Sequence, residues 1–117
     1  MAGLALAGVA HAATVTGRSG GLTATMHAGT HHPKVGRAWP VQFTASVSGR
    51  GVRATVTYEY LYGGQVVAVR AHHTFNGRFT DTIVFPATAV GYPLTFRAVI
   101  TAGRALVNLD YAISVVR

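Results

Sequence analysis

The sequence predicts an all-β protein, a sandwich of about seven antiparallel strands, and three observations support this fold class. Apolar and polar residues alternate along six stretches of the chain, and a period of two places alternate side chains on opposite faces of a strand. Tight-turn dipeptides separate these stretches, and no credible amphipathic helix is present. Short strands joined by tight turns are typical of a two-sheet sandwich.

The clearest alternation spans residues 52–62, the third predicted strand. Its polar face carries arginine, threonine and glutamate, which suits a solvated surface. We expect most tyrosines of the other face in the core, with the last one or two emerging at a rim. The face predicted to be buried carries Val52, Ala54, Val56, Tyr58, Tyr60 and Tyr62.

The other strands follow from the same pattern. The first spans residues 21–27, and residues 31–36 form a loop because proline and glycine oppose a regular element there. The second begins at Pro40 and ends at the turn over residues 48–51. The last two strands cover residues 94–100 and 107–115, with Ala102-Gly103 as the turn between them.

Two dipeptides flank the fourth strand. Gly63-Gly64 and Asn76-Gly77 both predict two-residue hairpins, because they suit turn positions with positive φ. The sequence does not decide which of the two sheets holds the fourth strand. The fifth strand, residues 78–85, places Asp81 on its apolar face, so we expect an arginine partner or a bulge there. Residues 86–93 are the longest connection, as expected for a crossover between sheets.

The length of 117 residues suits one domain with a single core. We expect residues 1–12 to be the end of a secretory signal, because an apolar run is followed by Ala10-His11-Ala12, the small-x-small pattern read by signal peptidase. An alanine- and glycine-rich tail without a targeting role is the alternative. Residues 13–20 are expected to form a flexible lead and residues 21–117 the sandwich. The expected location is therefore secreted or at the cell surface.

Composition excludes several classes of site. Cysteine is absent, so the chain has no disulfide, thiol nucleophile or thiolate metal site. No stretch reaches the roughly 18 consecutive apolar residues that cross a bilayer. The net charge of +7 favours polyanions, but the basic residues are spread along the chain without a run of five. We expect a solvated positive surface and no specific nucleic-acid site, with weak binding to a polyanion or cell-wall polymer as an alternative.

Four segments together resemble bacterial secreted immunoglobulin-like or fibronectin type III-like modules. They are Pro33-Lys34-Val35-Gly36, the turn and strand that begin at Gly49, Asn76-Gly77-Arg78-Phe79, and Tyr111-x-Ile113-x-Val115. The resemblance spans residues 21–117. It implies an immunoglobulin-like sandwich that serves as a structural or interaction module.

Histidines supply the candidate metal ligands, since imidazole is the commonest metal ligand at neutral pH. Adjacent residues of a strand point to opposite faces, so only one of the pair at positions 72 and 73 can join a given site. Solvated or turn-lining histidines are the alternative. The candidate copper or zinc ligands are His27, His31, His32 and His73.

A second copper hypothesis concerns the start of the mature chain. Cleavage after Ala10 would expose the amine of His11 beside its ring, which is similar to the arrangement in periplasmic copper-carrier sandwiches. Cleavage after Ala12 would remove this residue.

The sequence favours no enzyme. Gly17-Arg18-Ser19-Gly20-Gly21 matches the G-x-S-x-G motif, but that motif requires a strand before it and a helix after it. The three carboxylates fall within predicted strands, where arginine partners are expected. A carbohydrate platform would need Trp39 and the tyrosines exposed. We therefore expect a non-catalytic module without a cofactor, whose partner is a protein or a cell-surface polymer.

Overall fold

Nine strands make up most of residues 13–117, the part of the chain that the computed structural model describes. In chain order they are β1 (Ala13–Ser19), β2 (Leu22–Ala28), β3 (Trp39–Val47), β4 (Arg50–Gly51), β5 (Arg53–Tyr62), β6 (Gln65–Asn76), β7 (Arg78–Ile83), β8 (Pro93–Ala102) and β9 (Ala105–Ser114). No helix in this part of the chain is long and apolar enough to span a membrane.

The strands form two antiparallel sheets that pack face to face, which confirms the predicted all-β sandwich. One sheet has the order β1-β2-β3, and both β4 and β7 pair with the other side of β3. The second sheet has the order β9-β8-β5-β6. β6 and β7 are thus edge strands of different sheets. They lie on the same open side of the sandwich, because Gly77 alone separates them along the chain.

One apolar core fills the space between the sheets. Phe43, Val56, Phe96 and Ile100 come from the central strands of both sheets and are fully buried. Each such side chain contributes about 1.5–3 kcal/mol before the entropy cost of folding. The alternation predicted for the third strand is confirmed in β5, where Tyr62 is 47% exposed at the rim.

The prediction of a flexible lead over residues 13–20 is wrong, because Ala13–Ser19 forms β1 and pairs with β2. The inward positions of β1 carry Val15 and Gly17, so its apolar pattern is weak in the sequence. A Cβ added at Gly17 would lie 2.5 Å from Cγ1 of Val107. The missing side chain lets β1 pack closely on β9. With β1 and the two-residue β4, which lies within the predicted turn over residues 48–51, the strands number nine instead of seven.

The predicted hairpin at Asn76-Gly77 is also wrong. β6 pairs with β5 and β7 pairs with β3, so this dipeptide carries the chain from one sheet to the other. The amide of Gly77 donates to the carbonyl of Val52 (2.8 Å), and its carbonyl accepts from the amide of Ala45 (2.9 Å). The dipeptide does predict the positive φ of Gly77, +74°. It does not predict whether the two flanking strands pair with each other.

Two other predicted connections are confirmed, whereas the turn predicted at Ala102-Gly103 lies one residue later, at Gly103-Arg104. Gly63 and Gly64, with φ of +60° and +80°, form the hairpin between β5 and β6, which assigns the fourth predicted strand to the second sheet. Residues 86–93 cross between the sheets and contain a 3₁₀ turn at Ala87–Ala89.

Backbone hydrogen bonds join the loop after β2 to residues 114–116. The amide of Val116 donates to the carbonyl of Pro33 (2.9 Å), and the amide of Val35 donates to the carbonyl of Val116 (2.9 Å). The amide of Ser114 donates to the carbonyl of His31 (2.8 Å). These bonds cover the end of β9, whereas nothing within residues 13–117 pairs with the free side of β6 at the opposite edge of the same sheet.

Candidate functional site

A cleft of about 560 Å³ opens between the two edge strands β6 and β7, and we call it the edge cleft. Its floor is formed by Tyr58 and Tyr60 of β5 and by Leu94 of β8. Because β6 runs directly into β7 at Gly77, the two strands converge at one end of the cleft and separate towards the other. The volume falls in the range of about 300–1,000 Å³ that is usual for ligand sites.

Two walls of different composition flank this floor. The β6 wall carries Val67, Ala68, Arg70 and Ala71, and the opposite wall is the stretch 81–86 from β7 and the residues after it. The crossover after β7 closes part of the wide end with its 3₁₀ turn. The lining is mainly apolar, with one cationic and one anionic side chain.

The narrow end is closed by aromatic rings from β6 and β7. The ring centroid of His73 lies 4.9 Å from that of Phe79, and Phe75 stacks on Phe79 at 5.8 Å. These contacts let two strands of different sheets meet without a ladder of hydrogen bonds between them. They also close the narrow end, so the cleft is open only towards its wide end.

Asp81 lies at this narrow end, half-buried, and neither an arginine nor a bulge accounts for its position. The hydroxyl of Tyr58 donates to its Oδ2 (2.7 Å), and Nε2 of His73 lies 3.6 Å from the same oxygen. The amide of Thr82 donates to Oδ1 (2.8 Å). In place of the expected arginine, the Tyr58 hydroxyl and the Thr82 amide keep the carboxylate hydrogen-bonded in an apolar surrounding, and His73 lies beside it.

The floor tyrosines are held in the protonated form. Burial raises the pKa of Tyr58 far above its ordinary value, and the hydrogen bond to Asp81 raises it further. Burial likewise raises the pKa of Tyr60 to about 12, although the charge of Arg70 acts in the opposite direction. Both hydroxyls are neutral at physiological pH, so they offer hydrogen bonds rather than charge to anything bound in the cleft.

These pKa shifts predict a loss of stability in alkali. A raised pKa in the folded state contributes stability that is complete below about pH 10, where unfolded tyrosine is protonated, and that is lost as the pH rises. We expect the free energy of unfolding to fall by about 1.4 kcal/mol per pH unit for each tyrosine that stays protonated. Urea unfolding followed from about pH 8 to about pH 12 measures this slope.

The Tyr58→Phe variant should show a shallower slope, and Tyr62→Phe, at an exposed tyrosine, should show the slope of the wild type. A wild-type stability that stays constant up to about pH 12 would contradict the burial of the floor tyrosines.

Two exposed valines border the mouth of the edge cleft, one on each wall. Val67 and Val84 line it and are 58% and 59% exposed. We call these two residues the valine rim. Val66 and Val69 are also exposed, but they pair with Leu61 and Glu59 and therefore lie on the outer face of the sheet, away from the cleft. Exposed apolar side chains that border a concave site are typical of a binding surface.

β6 is also irregular. Its pairing with β5 skips Val67 and Ala71, so each is the extra residue of a bulge, and Ala71 has a φ of +55°. Bulges twist an edge strand and interrupt the row of free backbone groups that another strand would need. The binding features of this edge are therefore its side chains and its cleft rather than a long free ladder.

The structure separates the candidate metal ligands. His27 bonds through Nδ1 to the hydroxyl of Thr14 (3.0 Å), and the side chain of His32 is exposed. The ring of His31 stacks on Tyr111 with centroids 4.0 Å apart. These three lie at the β2 and β9 side of the sandwich, whereas His73 lies on β6 at the opposite edge of the second sheet.

His72 and His73 point to opposite sides, as the strand geometry predicts. Nδ1 of His72 meets the hydroxyl of Thr57 (3.0 Å) on the outer face, and His73 faces Asp81. Within residues 13–117 no three histidine, aspartate or glutamate side chains are placed to hold one metal ion. His11, and with it the hypothesis about the mature N-terminus, lies outside the described residues.

The other two carboxylates pair with one arginine. Arg97 makes two hydrogen bonds to Asp110 (2.7 and 3.0 Å), and its Nη1 lies 3.8 Å from Oε1 of Glu59. The hydrogen bond to Asp110 raises the pKa of Arg97. These residues form a cross-strand ion network on the outer face of β5, β8 and β9.

Trp39 does not provide a carbohydrate platform, because it is only 2% exposed. Its Nε1 donates to the carbonyl of Thr30 (2.9 Å), and its ring packs against Phe85 and Phe96. The G-x-S-x-G segment runs through the end of β1 into the hairpin with β2, and no helix follows it. Neither feature contributes to the edge cleft.

Sequence reasoning missed two features of the cleft, namely Arg70 and the valine rim. One signal was present: β6 carries apolar residues on consecutive positions, Val66-Val67-Ala68-Val69, so it lacks the alternation of its neighbours. A strand with apolar residues on both faces that is not central in its sheet exposes some of them. The position of the strand, and hence the exposure, is not visible in the sequence.

Comparison with known proteins gives no relative for this chain. No family model, no curated protein and no solved structure matches it.

Proposed function

We propose that this chain is a non-catalytic, extracytoplasmic interaction module that binds a segment of another protein through the edge cleft. The observation that carries the proposal is the valine rim at the mouth of this cleft. Exposed apolar groups next to a concave site gain free energy when a partner removes them from water, at roughly 25 cal/mol per Å². The cleft can take one or two large apolar side chains of such a partner.

The composition of the cleft supports binding rather than a reaction. Its one carboxylate accepts hydrogen bonds from a tyrosine and a backbone amide and lies beside a histidine, and its tyrosines are held neutral. Such groups position a ligand through hydrogen bonds, while the apolar walls supply affinity. Protein–protein interfaces commonly combine apolar contacts with hydrogen bonds in this way.

Pairing of two copies of this chain through β6 is less well supported. The two bulges interrupt the edge, and a net charge of +7 on each copy opposes close approach. A partner of different charge avoids this repulsion. The proposal therefore commits to a different protein as the partner.

Location and family are part of the proposal. Export is supported by the apolar run before Ala10-His11-Ala12. An immunoglobulin-like or fibronectin type III-like module is supported by the two facing antiparallel sheets, in which the chain crosses from one sheet to the other near Gly77 and again over residues 86–93. Mass spectrometry of the exported protein would identify its first residue.

Selection from a displayed library of random linear peptides tests the binding site. Selected peptides should bind the wild type and lose about tenfold or more in affinity on Val67→Lys, since a charged side chain would then enter the apolar wall. Leu106→Lys on β9 is the matched control, because Leu106 is also exposed, at 49%, but lies at the other edge of the sheet. It should leave the affinity unchanged.

Two results would overturn the proposal. One is that no peptide is enriched over an uncoated surface. The other is that the selected peptides bind Val67→Lys and Val84→Lys as tightly as the wild type, provided that circular dichroism shows both variants folded.

A further inference from the structure

We infer that the segment bound at the edge cleft is acidic and that Arg70 binds its carboxylate while a neighbouring apolar side chain enters the cleft. This inference rests on the function proposed above and adds the chemistry of the partner. The observation behind it is that the two charged groups of the cleft, Arg70 and Asp81, differ in what they already contact.

Arg70 has donors to spare. A guanidinium has five N–H donors, and the hydrogen bond of this side chain within residues 13–117 goes from Nη1 to the carbonyl of Val69 (3.0 Å), its own neighbour. No carboxylate of the described residues forms an ion pair with it, in contrast to Arg97, which contacts Asp110 and Glu59. The side chain is exposed and lies on the wall of the cleft. A carboxylate can therefore approach it in the bidentate geometry that arginine favours.

Asp81 is the less accessible of the two charged groups. Its Oδ2 accepts from Tyr58 and lies beside His73, and its Oδ1 accepts from the amide of Thr82. The carboxylate lies at the narrow end, where aromatic rings restrict access. A lysine of a partner would have to reach in beside these rings, whereas a glutamate meets Arg70 on the exposed wall.

The charge of the whole molecule favours the same choice. The net charge is +7, and the long-range field of such a surface attracts acidic segments and speeds their association. The arginine next to the apolar cleft then decides where the acidic segment binds. An apolar residue beside a carboxylate is the pattern that this site recognises best.

A protein segment fits the site better than a small amphipathic acid. Val67 and Val84 line opposite walls of the cleft and are still 58% and 59% exposed, so much of their surface lies outside it. A ligand confined to the cleft would leave this surface in water, whereas a peptide that passes over the mouth would cover both side chains. The surface to be covered is therefore larger than the cleft itself.

Two displayed peptide libraries that differ at one fixed position test the inference. One library has glutamate at the centre and the other has lysine, with random residues on both sides. The wild type should enrich the glutamate library, and its selected peptides should lose about tenfold or more in affinity when their glutamate is changed to lysine. Arg70→Glu should reverse the preference. Arg104→Glu, in the exposed turn between β8 and β9, changes the net charge equally and should keep it.

The outcomes separate this inference from the proposed function. Peptides that need the valine rim but show no preference between the libraries would overturn the role of Arg70 and leave the binding module standing. Enrichment of the lysine library would mean that Asp81, and not Arg70, binds the charged side chain of the peptide, and it would overturn the inference. Binding of octanoate without any selected peptide would replace the protein partner by a small acid and overturn both, as would the absence of all binding.

Discussion

The Val56→Asp variant is expected to be unfolded. Val56 lies in the middle of β5, is 0% exposed, and pairs with Ile100 on one side and His73 on the other. A carboxylate at this position has no partner, and an unpaired buried charge costs about 3–5 kcal/mol in addition to the lost apolar burial of about 1.5–3 kcal/mol. The sum is comparable with the whole stability of a small domain, about 5–15 kcal/mol.

Circular dichroism and a urea titration measure this effect, and we expect no cooperative transition. Thr57→Asp is the matched control, because Thr57 is the next outward-facing residue of the same strand and meets His72 at the surface. It should change the free energy of unfolding by less than about 1 kcal/mol. A Val56→Asp protein that melts like the wild type would mean that β5 is not the central strand of a packed sandwich.

Gly77→Ala is expected to cause the second largest loss. This residue has a φ of +74°, and a Cβ added to it would lie 3.2 Å from the Cα of Gly51. The left-handed conformation alone costs an alanine about 1–2 kcal/mol. The contact adds to this cost because the opposing atom belongs to the backbone and cannot change its rotamer. The hydrogen bonds from Gly77 to Val52 and from Ala45 to Gly77 also hold the two backbone segments at this distance. We expect a total loss of about 3 kcal/mol.

Gly103→Ala separates the two causes. Gly103 has a similar φ, +58°, but an added Cβ would meet nothing within 4 Å. Its loss should be limited to the conformational cost of about 1–2 kcal/mol. Chemical denaturation of both variants gives the comparison. Equal losses would show that the close approach of the two backbones at the crossover between sheets contributes nothing.

The sequence predicts elements well where one face of a strand is buried and the other is solvated. β5 and β3 show this pattern. In β5 the predicted inward residues Ala54, Val56 and Tyr58 are buried, but towards its end Tyr62 is exposed and Leu61 is buried instead. In β3 the alternation predicts Val41, Phe43, Ala45 and Val47 inward, and all but Val47 are buried. β1 was missed for the opposite reason. Its close approach to β9 requires Gly17, and a glycine at an inward position removes the apolar signal on which the prediction depends.

The candidate site was less accessible to sequence reasoning. Histidine type alone suggested a metal site, but His27 lies on the outer face of the first sheet, His31 and His32 lie in the loop beside β9, and His73 lies on β6 at the other edge of the second sheet. The partners of Asp81 could not be predicted either, because Tyr58 and His73 reach it from the other sheet. Contacts between residues of different sheets depend on how the sheets face each other, and periodicity carries no information about this.

The fold class, the buried faces of the central strands and the positions of most turns can be predicted from the sequence, because they depend on the period of two and on the local φ of glycine. The connection of two sheets by Asn76-Gly77 and the position of β6 and β7 as neighbouring edges become visible when the whole chain is folded. The same holds for the placement of Arg70 and the valine rim around one cleft. Long-range pairing of strands creates that cleft, and no local pattern in the chain specifies which strands end at an edge.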